Sequence, residues 1–192
     1  ITTSGNCKIH TFTGPGTFQV CNAAGTCGPT RNLVSYLVVA GGGGGGGSTS
    51  SGIGGGGAGG YREVVSPNSP YTGSPLQGYP NSDNRVTVTS TSFPITVGAG
   101  GATSLPHPTP TPGTSGSKGS SSIFSTITSA GGGGGGNFPA PCRPAISNGG
   151  SGGGSAGPGQ SAGTGNTPPV TPAQGTNGST GTFGSPHYTG GG

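Results

Sequence analysis

Residues 33–47 read LVSYLVVAGGGGGGG, an apolar run that passes directly into seven consecutive glycines. The same order returns at residues 123–136, which read IFSTITSAGGGGGG. Apolar, β-branched and aromatic residues favour strands, whereas a glycine run has no side chains to pack in a sheet. The repeated pattern therefore predicts strands that lead into glycine-rich segments with a different backbone conformation.

The glycine runs require a compensating interaction if they are ordered, because each glycine costs about 0.5–1 kcal/mol more to order than alanine. In polyproline II, which has three residues per turn, backbone N–H and C=O groups point outward and can bond to a neighbouring rod. We therefore interpret the runs as packed polyglycine II rods, with a free linker as the alternative. Collagen is excluded because glycine does not recur strictly at every third position.

The composition argues against a conventional apolar core. Leu, Ile, Val and Phe make up 27 of the 192 residues, which is below the roughly 20% at which globular folding becomes doubtful. Glycine and proline contribute 49 and 19 residues, and the net charge is only +4. A chain of this kind must obtain much of its stability from backbone contacts.

Several short β-prone runs accompany the glycine segments. We predict a hairpin over residues 8–20 around Gly14-Pro15-Gly16, a strand buried on both faces at residues 33–39, and strands at 85–89 and 93–97. No 3.6-residue periodicity predicts a helix. The expected fold class is all-β plus polyglycine or polyproline II helices, in which short N-terminal strands lead into a glycine-rich bundle with essentially no α-helix.

Two regions follow from this pattern. Residues 1–40 form the predicted β-strand region with its hairpin, and residues 41–192 form a glycine-rich region with display loops rich in Pro, Ser and Thr. Both are expected to belong to one continuous module. The absence of Met suggests a processed chain or a piece of a longer one.

The residues offer little for catalysis. Glu63 and Asp83 are the only acids, and we expect Glu63 to be solvated or paired with Arg62 rather than to act as a general acid or base. The three histidines show no metal-binding spacing, so neither a metal nor a cofactor is expected. The six Lys and Arg residues are scattered singly, which disfavours nucleic-acid binding, and no apolar stretch is long enough to insert into a membrane.

Aromatic and cationic residues on proline-rich loops are the candidates for binding. Such side chains suit sugar faces or surface proteins because they offer amphipathic contact at low entropic cost. The alternative is that each fills a gap between glycine rods. The candidate receptor-binding residues are Tyr71, Tyr79, His107, Phe138, Arg143, His187 and Tyr188.

Four cysteines allow two disulfides. Cys21 and Cys27 flank a turn-like insert and are candidates for one bridge. Cys7 and Cys142 would then form a second bridge that closes a long loop in an oxidising compartment. The alternative is four free thiols.

Five motifs in order resemble the glycine-rich domain of bacteriophage tail-fibre proteins. They are IHTFTGPGTF at 9–18, YLVVAGGGGGGG at 36–47, GGGGAGGYRE at 54–63, ITVGAGG at 95–101 and FSTITSAGGGGGG at 124–136. The resemblance covers most of the chain and is more specific than glycine content. It implies a tail-fibre or tail-tip component in which polyglycine II helices stack while variable loops contact the host receptor.

The expected function is a structural and adhesive component of a phage tail fibre, located on the extracellular virion, that displays loops rigidly for recognition of a host surface. The expected partners are further copies of the chain in a trimer or filament, other virion tail proteins, and a host-surface glycan or outer-membrane protein. The alternative is a subunit of an extracellular structural filament held together by glycine-rich backbone pairing. An ice-binding polyglycine II bundle is a weaker hypothesis, because no regular Thr or Ala face is evident, and an enzyme is the least favoured.

Overall fold

The structure is a computed structural model that describes residues 1–23, 32–47, 52–104, 114–137, 147–157, 159–181 and 189–192. Over these ranges the fold is all-β, with small sheets and essentially no helix, as predicted. A 3-10 helix spans Ser82–Asn84. The strands are β1 (Thr2–Ser4), β2 (Cys7–Ile9), β3 (Gly16–Gln19), β4 (Tyr36–Val39), β5 (Ile53–Gly54), β6 (Tyr61–Val64), β7 (Ser92–Thr96), β8 (Ser122–Phe124), β9 (Ile127–Ser129) and β10 (Thr189–Gly190).

A small sandwich of two sheets holds the apolar core. One sheet is antiparallel with the strand order β3-β7-β8-β9, and the antiparallel pair β4-β6 packs against β8 and β9. Val86, Val88, Phe124 and Ile127 are buried at the centre. The Phe124 ring lies 6.0 Å from those of Phe18 and Tyr36 in edge-to-face geometry, an arrangement that aromatic quadrupoles favour.

The hairpin predicted over residues 8–20 is wrong, because its two strands pair with other segments. Residues 7–9 instead pair with residues 2–4 to form the β1-β2 hairpin. Strand β3, which follows the Gly-Pro-Gly turn, pairs with β7, so that Phe18 lies opposite Phe93. The long-range partner is favoured because it carries β3 onto the apolar core.

Three other strand predictions need correction or refinement. Strand β4 is not buried on both faces, since Leu37 and Val39 are 59% and 49% exposed. Residues 85–89 contribute only the single bridge between Thr87 and Leu33, although Val86 and Val88 are buried. The segment 122–129 turns back on itself as the β8-β9 hairpin. The strand predicted at 93–97 is confirmed as β7.

Glycine-rich segments extend from the ends of these strands, and we call them glycine rods. Rod 40–47 follows β4, rod 54–60 precedes β6, rod 98–104 follows β7, rod 114–121 precedes β8 and rod 130–136 follows β9. The strand pairing continues into the rods: beyond the pair β4-β6, Gly43 N–H donates to Gly57 O at 2.8 Å and Gly46 N–H donates to Gly54 O at 3.0 Å. Sheet and rods are therefore one hydrogen-bonded body.

Hydrogen bonds between rods repeat every three residues. In rod 40–47 the N–H groups at positions 40, 43 and 46 donate to rod 54–60, and those at 41, 44 and 47 donate to rod 114–121. The carbonyls at 42 and 45 accept from rod 98–104. The carbonyls at 41 and 44 accept from rod 130–136, so that rod 40–47 bonds to four neighbours with a repeat of three residues, which is the period of polyproline II.

Rod 130–136 is buried along its whole length. It bonds to rods 40–47, 54–60 and 114–121 and to a further rod at 149–155. A Cβ atom added at any position from Gly131 to Gly135 would collide with the backbone of a neighbouring segment. The centre of the bundle is thus a core of peptide groups, and it accepts only glycine at these positions.

Candidate functional site

The predicted binding residues divide into those that the structure describes and those that it does not. Tyr71 and Tyr79 lie in the loop that follows β6, whereas His107, Phe138, Arg143, His187 and Tyr188 lie outside the described residues. Tyr71 is 47% exposed. Tyr79 is half-buried, and the Arg85 guanidinium carbon lies 4.7 Å above its ring centroid. The two tyrosines therefore differ in how freely their rings can meet a ligand.

Tyr71 lines an open cleft, which we call the Tyr71 cleft. One wall is the turn between β1 and β2, residues 4–7, and the other is the loop segment 67–71. The volume of the cleft is about 650 Å³. Sequence reasoning missed the wall at 4–7, because only the folded chain brings the N-terminal hairpin beside the proline-rich loop.

The cleft loop is held by several hydrogen bonds. Ser66 N–H donates to Ser35 Oγ at 2.9 Å, which joins the start of the loop to the residue before β4. Ser69 N–H donates to Ser66 O at 2.8 Å, and Tyr71 N–H donates to Ser69 Oγ at 3.3 Å. These bonds form a local turn that fixes the backbone beneath the tyrosine ring.

The far end of the loop is anchored on Glu63. Its Oε2 accepts from Tyr61 Oη at 2.9 Å, from Ser74 N at 3.1 Å and from the Ser74 hydroxyl. Burial by itself would raise the pKa of Glu63, but the hydrogen bonds from Ser74 and Tyr61 outweigh it, so the pKa lies below its usual value. The ionised carboxylate is therefore the form that holds the loop.

The expected pairing of Glu63 with Arg62 is not formed. The two residues are neighbours on β6, so their side chains point to opposite faces of the strand. Arg62 is buried and donates to Asn84 Oδ1 and to Thr128 O. Glu63 faces the loop, and each residue satisfies its polar groups on its own side.

Two of the four cysteines predicted to form disulfides lie among the described residues. Cys7, at the edge of the cleft, and Cys21, on the surface, form no disulfide with another described residue. Cys27 and Cys142 lie outside the described residues, so both disulfide pairings stay predictions.

The described residues contain neither a metal-binding cluster nor a membrane-spanning helix. No group of three or more His, Cys, Asp or Glu side chains there is arranged to hold a metal ion. No helix in that part of the chain is both long enough and apolar enough to cross a membrane.

Comparison with known proteins identifies one family. No curated protein and no solved structure is significantly similar to the chain. A family model described as a glycine-rich domain matches residues 14–192, which include the whole set of glycine rods. The chain belongs to this glycine-rich domain family.

Proposed function

We propose that the chain is a structural and adhesive module of a bacteriophage tail fibre, which displays its loops rigidly to a receptor on the host surface. The observation that carries the proposal is the continuity between rods and sheets, because it makes a stiff support for exposed loops from a chain with little apolar material. The Tyr71 cleft lies on such a loop and is held at both ends. The module acts on the extracellular virion beside other tail proteins, and its binding partner is a host-surface glycan or outer-membrane protein.

Binding to cells tests this function directly. The purified, fluorescently labelled chain is incubated with a panel of candidate host bacteria, and bound fluorescence is measured against protein concentration. Saturable binding to a subset of strains, competed by unlabelled chain, is the expected result. If no strain in the panel shows saturable binding, the adhesive function is contradicted.

A filament subunit is the second candidate, and one specific observation favours it. Among the described residues, the N–H groups of Gly42 and Gly45 have no hydrogen-bond partner, and Gly42 is exposed. Unpaired backbone donors at an edge can bond to another chain, as they do at the edge of a sheet. A carbonyl of a rod from a second copy would satisfy them.

Self-association distinguishes the filament from the adhesin. A Cβ on Gly42 would have its nearest contact, Gly57 O, at 3.7 Å, so Gly42→Val should fold while it prevents the close approach of another rod. If the chain is a filament subunit, sedimentation velocity shows growing assemblies for the parent chain and smaller species for Gly42→Val. A chain that sediments as one small species at all concentrations would rule out the filament.

A further inference from the structure

We propose that the Tyr71 cleft binds a short, uncharged saccharide. The inference rests on the proposed adhesive function and makes its ligand specific: the recognised group is a neutral glycan, not an anionic polymer or a protein loop. Four features of the cleft support it, namely its charge, its aromatic ring, its polar groups and its size.

Charge is the first feature. The described residues that line the cleft are all uncharged: Ser4, Gly5, Asn6, Cys7, Pro67, Asn68, Ser69, Pro70 and Tyr71. The cation nearest in sequence is Lys8, which follows Cys7 on β2 and therefore points to the opposite face of that strand. An anionic sugar would lose hydration in the cleft without gaining a cationic partner, so a neutral ligand is favoured.

The aromatic ring is the second feature. Tyr71 is the one aromatic side chain among the lining residues that the structure describes, and nearly half of its surface is exposed. A tyrosine ring offers a flat apolar face together with a hydroxyl group at its edge. The C–H face of a pyranose can pack on the ring while its hydroxyl groups remain solvated or bonded to the walls.

Polar groups on both walls are the third feature. The hairpin turn contributes the hydroxyl of Ser4 and the amide of Asn6, and the loop contributes the hydroxyl of Ser69. Hydroxyl and amide groups both donate and accept hydrogen bonds, which matches the dual character of sugar hydroxyls. A ligand with only acceptors or only donors would use fewer of these groups.

Size and rigidity are the fourth feature. The volume of about 650 Å³ lies within the range of roughly 300–1,000 Å³ that is usual for small-molecule sites. Gly5 adopts φ of 57° in the hairpin turn, and the opposite loop is tied to Ser35 and Glu63. Because both walls are formed in advance, little conformational entropy is lost on binding.

Glycan binding by matched variants tests the proposal. The full chain is applied to an immobilised panel of uncharged hexose and N-acetylhexosamine oligosaccharides, with sialylated and sulfated oligosaccharides at the same density. We expect binding to members of the uncharged set. The affinity should fall by about tenfold or more in Tyr71→Ala and in Asn6→Ala, which alter opposite walls. Leu76→Ala is the control, because Leu76 is 49% exposed in the same loop but does not line the cleft.

The outcomes separate this proposal from the adhesive function. Equal affinities for Tyr71→Ala and the parent chain, or a preference for sialylated or sulfated glycans, would overturn the neutral-saccharide site. Binding to bacteria that survives both cleft variants would also overturn it while leaving the adhesive function in place. Glycan binding that depends on both walls, without binding to any bacterium, would support the site and contradict the tail-fibre function. Circular dichroism of each variant establishes that a loss of binding is not a loss of fold.

Discussion

Arg62 Nη2 lies 2.5 Å from Asn84 Oδ1, and both side chains are buried. The guanidinium also donates to the carbonyl of Thr128 at 3.3 Å, so its described acceptors are neutral oxygens. Asn84 in turn donates through Nδ2 to Gly78 O at 3.2 Å and to Thr171 O at 2.7 Å. One asparagine therefore joins the buried cation of β6 to two separate loops.

Removal of this asparagine should destabilise the fold. Asn84→Ala deprives the Arg62 guanidinium of an acceptor and leaves Thr171 O without its described donor, while Gly78 O keeps the N–H of Asn81. We therefore expect the free energy of unfolding to fall by about 3 kcal/mol. Urea denaturation measures the change. Asp83→Asn on the same 3-10 helix is the control, because Asp83 is exposed and such changes usually stay within about 0.5 kcal/mol. Equal effects of the two substitutions would show that the network contributes little.

A single methyl group in the central rod should be far more damaging than one at the edge of the bundle. In Gly134→Ala the new Cβ would collide with the carbonyl of Gly116, and because both partners are packed backbone, no rotamer relieves the overlap. We expect a loss of about 3 kcal/mol or more, which is the upper end of the usual cost of overpacking. Thermal unfolding followed by circular dichroism reports the loss.

Gly100→Ala provides the matched comparison for the central rod. A Cβ on Gly100 would lie 3.8 Å from Gly42 O, and the position is exposed. We expect the melting temperature to stay the same or rise, because alanine restricts the unfolded chain and can stabilise by about 0.4–1 kcal/mol. Similar losses at positions 100 and 134 would mean that the central rod is not tightly packed.

Acid should loosen the cleft loop through Glu63. The hydrogen bonds from Ser74 and Tyr61 hold the pKa of Glu63 below its usual value in the folded state, against the effect of burial. The stabilisation is therefore present above the unfolded pKa, about 4.3, and is lost as the pH falls through the lower folded pKa. Denaturation midpoints measured at decreasing pH should fall less steeply for Glu63→Gln than for the parent chain. An unchanged slope in Glu63→Gln would contradict this role.

Alkaline titration should show that Tyr36 resists ionisation. Burial raises the pKa of Tyr36 to about 12, although the charge of Arg62 opposes the shift. Because the folded pKa is raised, the stability from neutral Tyr36 is complete below the unfolded value of about 10 and is lost as the pH rises from there toward 12. The phenolate absorbance of the chain should show a late component that is smaller in Tyr36→Phe; Tyr61, whose pKa is also raised, keeps its own contribution. A late component of unchanged amplitude in Tyr36→Phe would contradict the assignment to Tyr36.

The sequence predicted what depends on local pattern and failed where distant segments choose partners. Strand β7 and the glycine rods were predicted because apolar runs and glycine runs are continuous along the chain. The pairing of β3 with β7 was missed, since its advantage comes from the packing of Phe18 near Phe124, a contact between remote positions. The β8-β9 turn was missed because Ser125, rather than a glycine, adopts the positive φ of 54°.

In the candidate site, too, local features could be predicted from the sequence and contacts between distant segments could not. The exposure of Tyr71 was predictable from its place in a proline-rich loop, but the opposite wall at Ser4–Cys7 was not, because it comes from the N-terminal hairpin, which is remote in sequence. Buried polar side chains also escaped prediction. Gln174 is only 2% exposed, and it accepts from Ala130 N–H at 2.7 Å and donates to Pro168 O at 2.8 Å. A glutamine in a Pro- and Gly-rich stretch gives no sign of that role.

The buried rod 130–136 affects how the stability of the chain should depend on temperature. Unfolding of an ordinary domain exposes mainly apolar surface, which raises the heat capacity by about 12–15 cal/mol/K per residue, whereas exposure of polar groups lowers it. Here much of what unfolding brings into water is peptide backbone from glycines that carry no side chains. The heat-capacity increment should therefore be small for a chain of this length, and the curve of free energy against temperature broad and shallow. Such a protein would lose stability slowly on cooling as well as on warming.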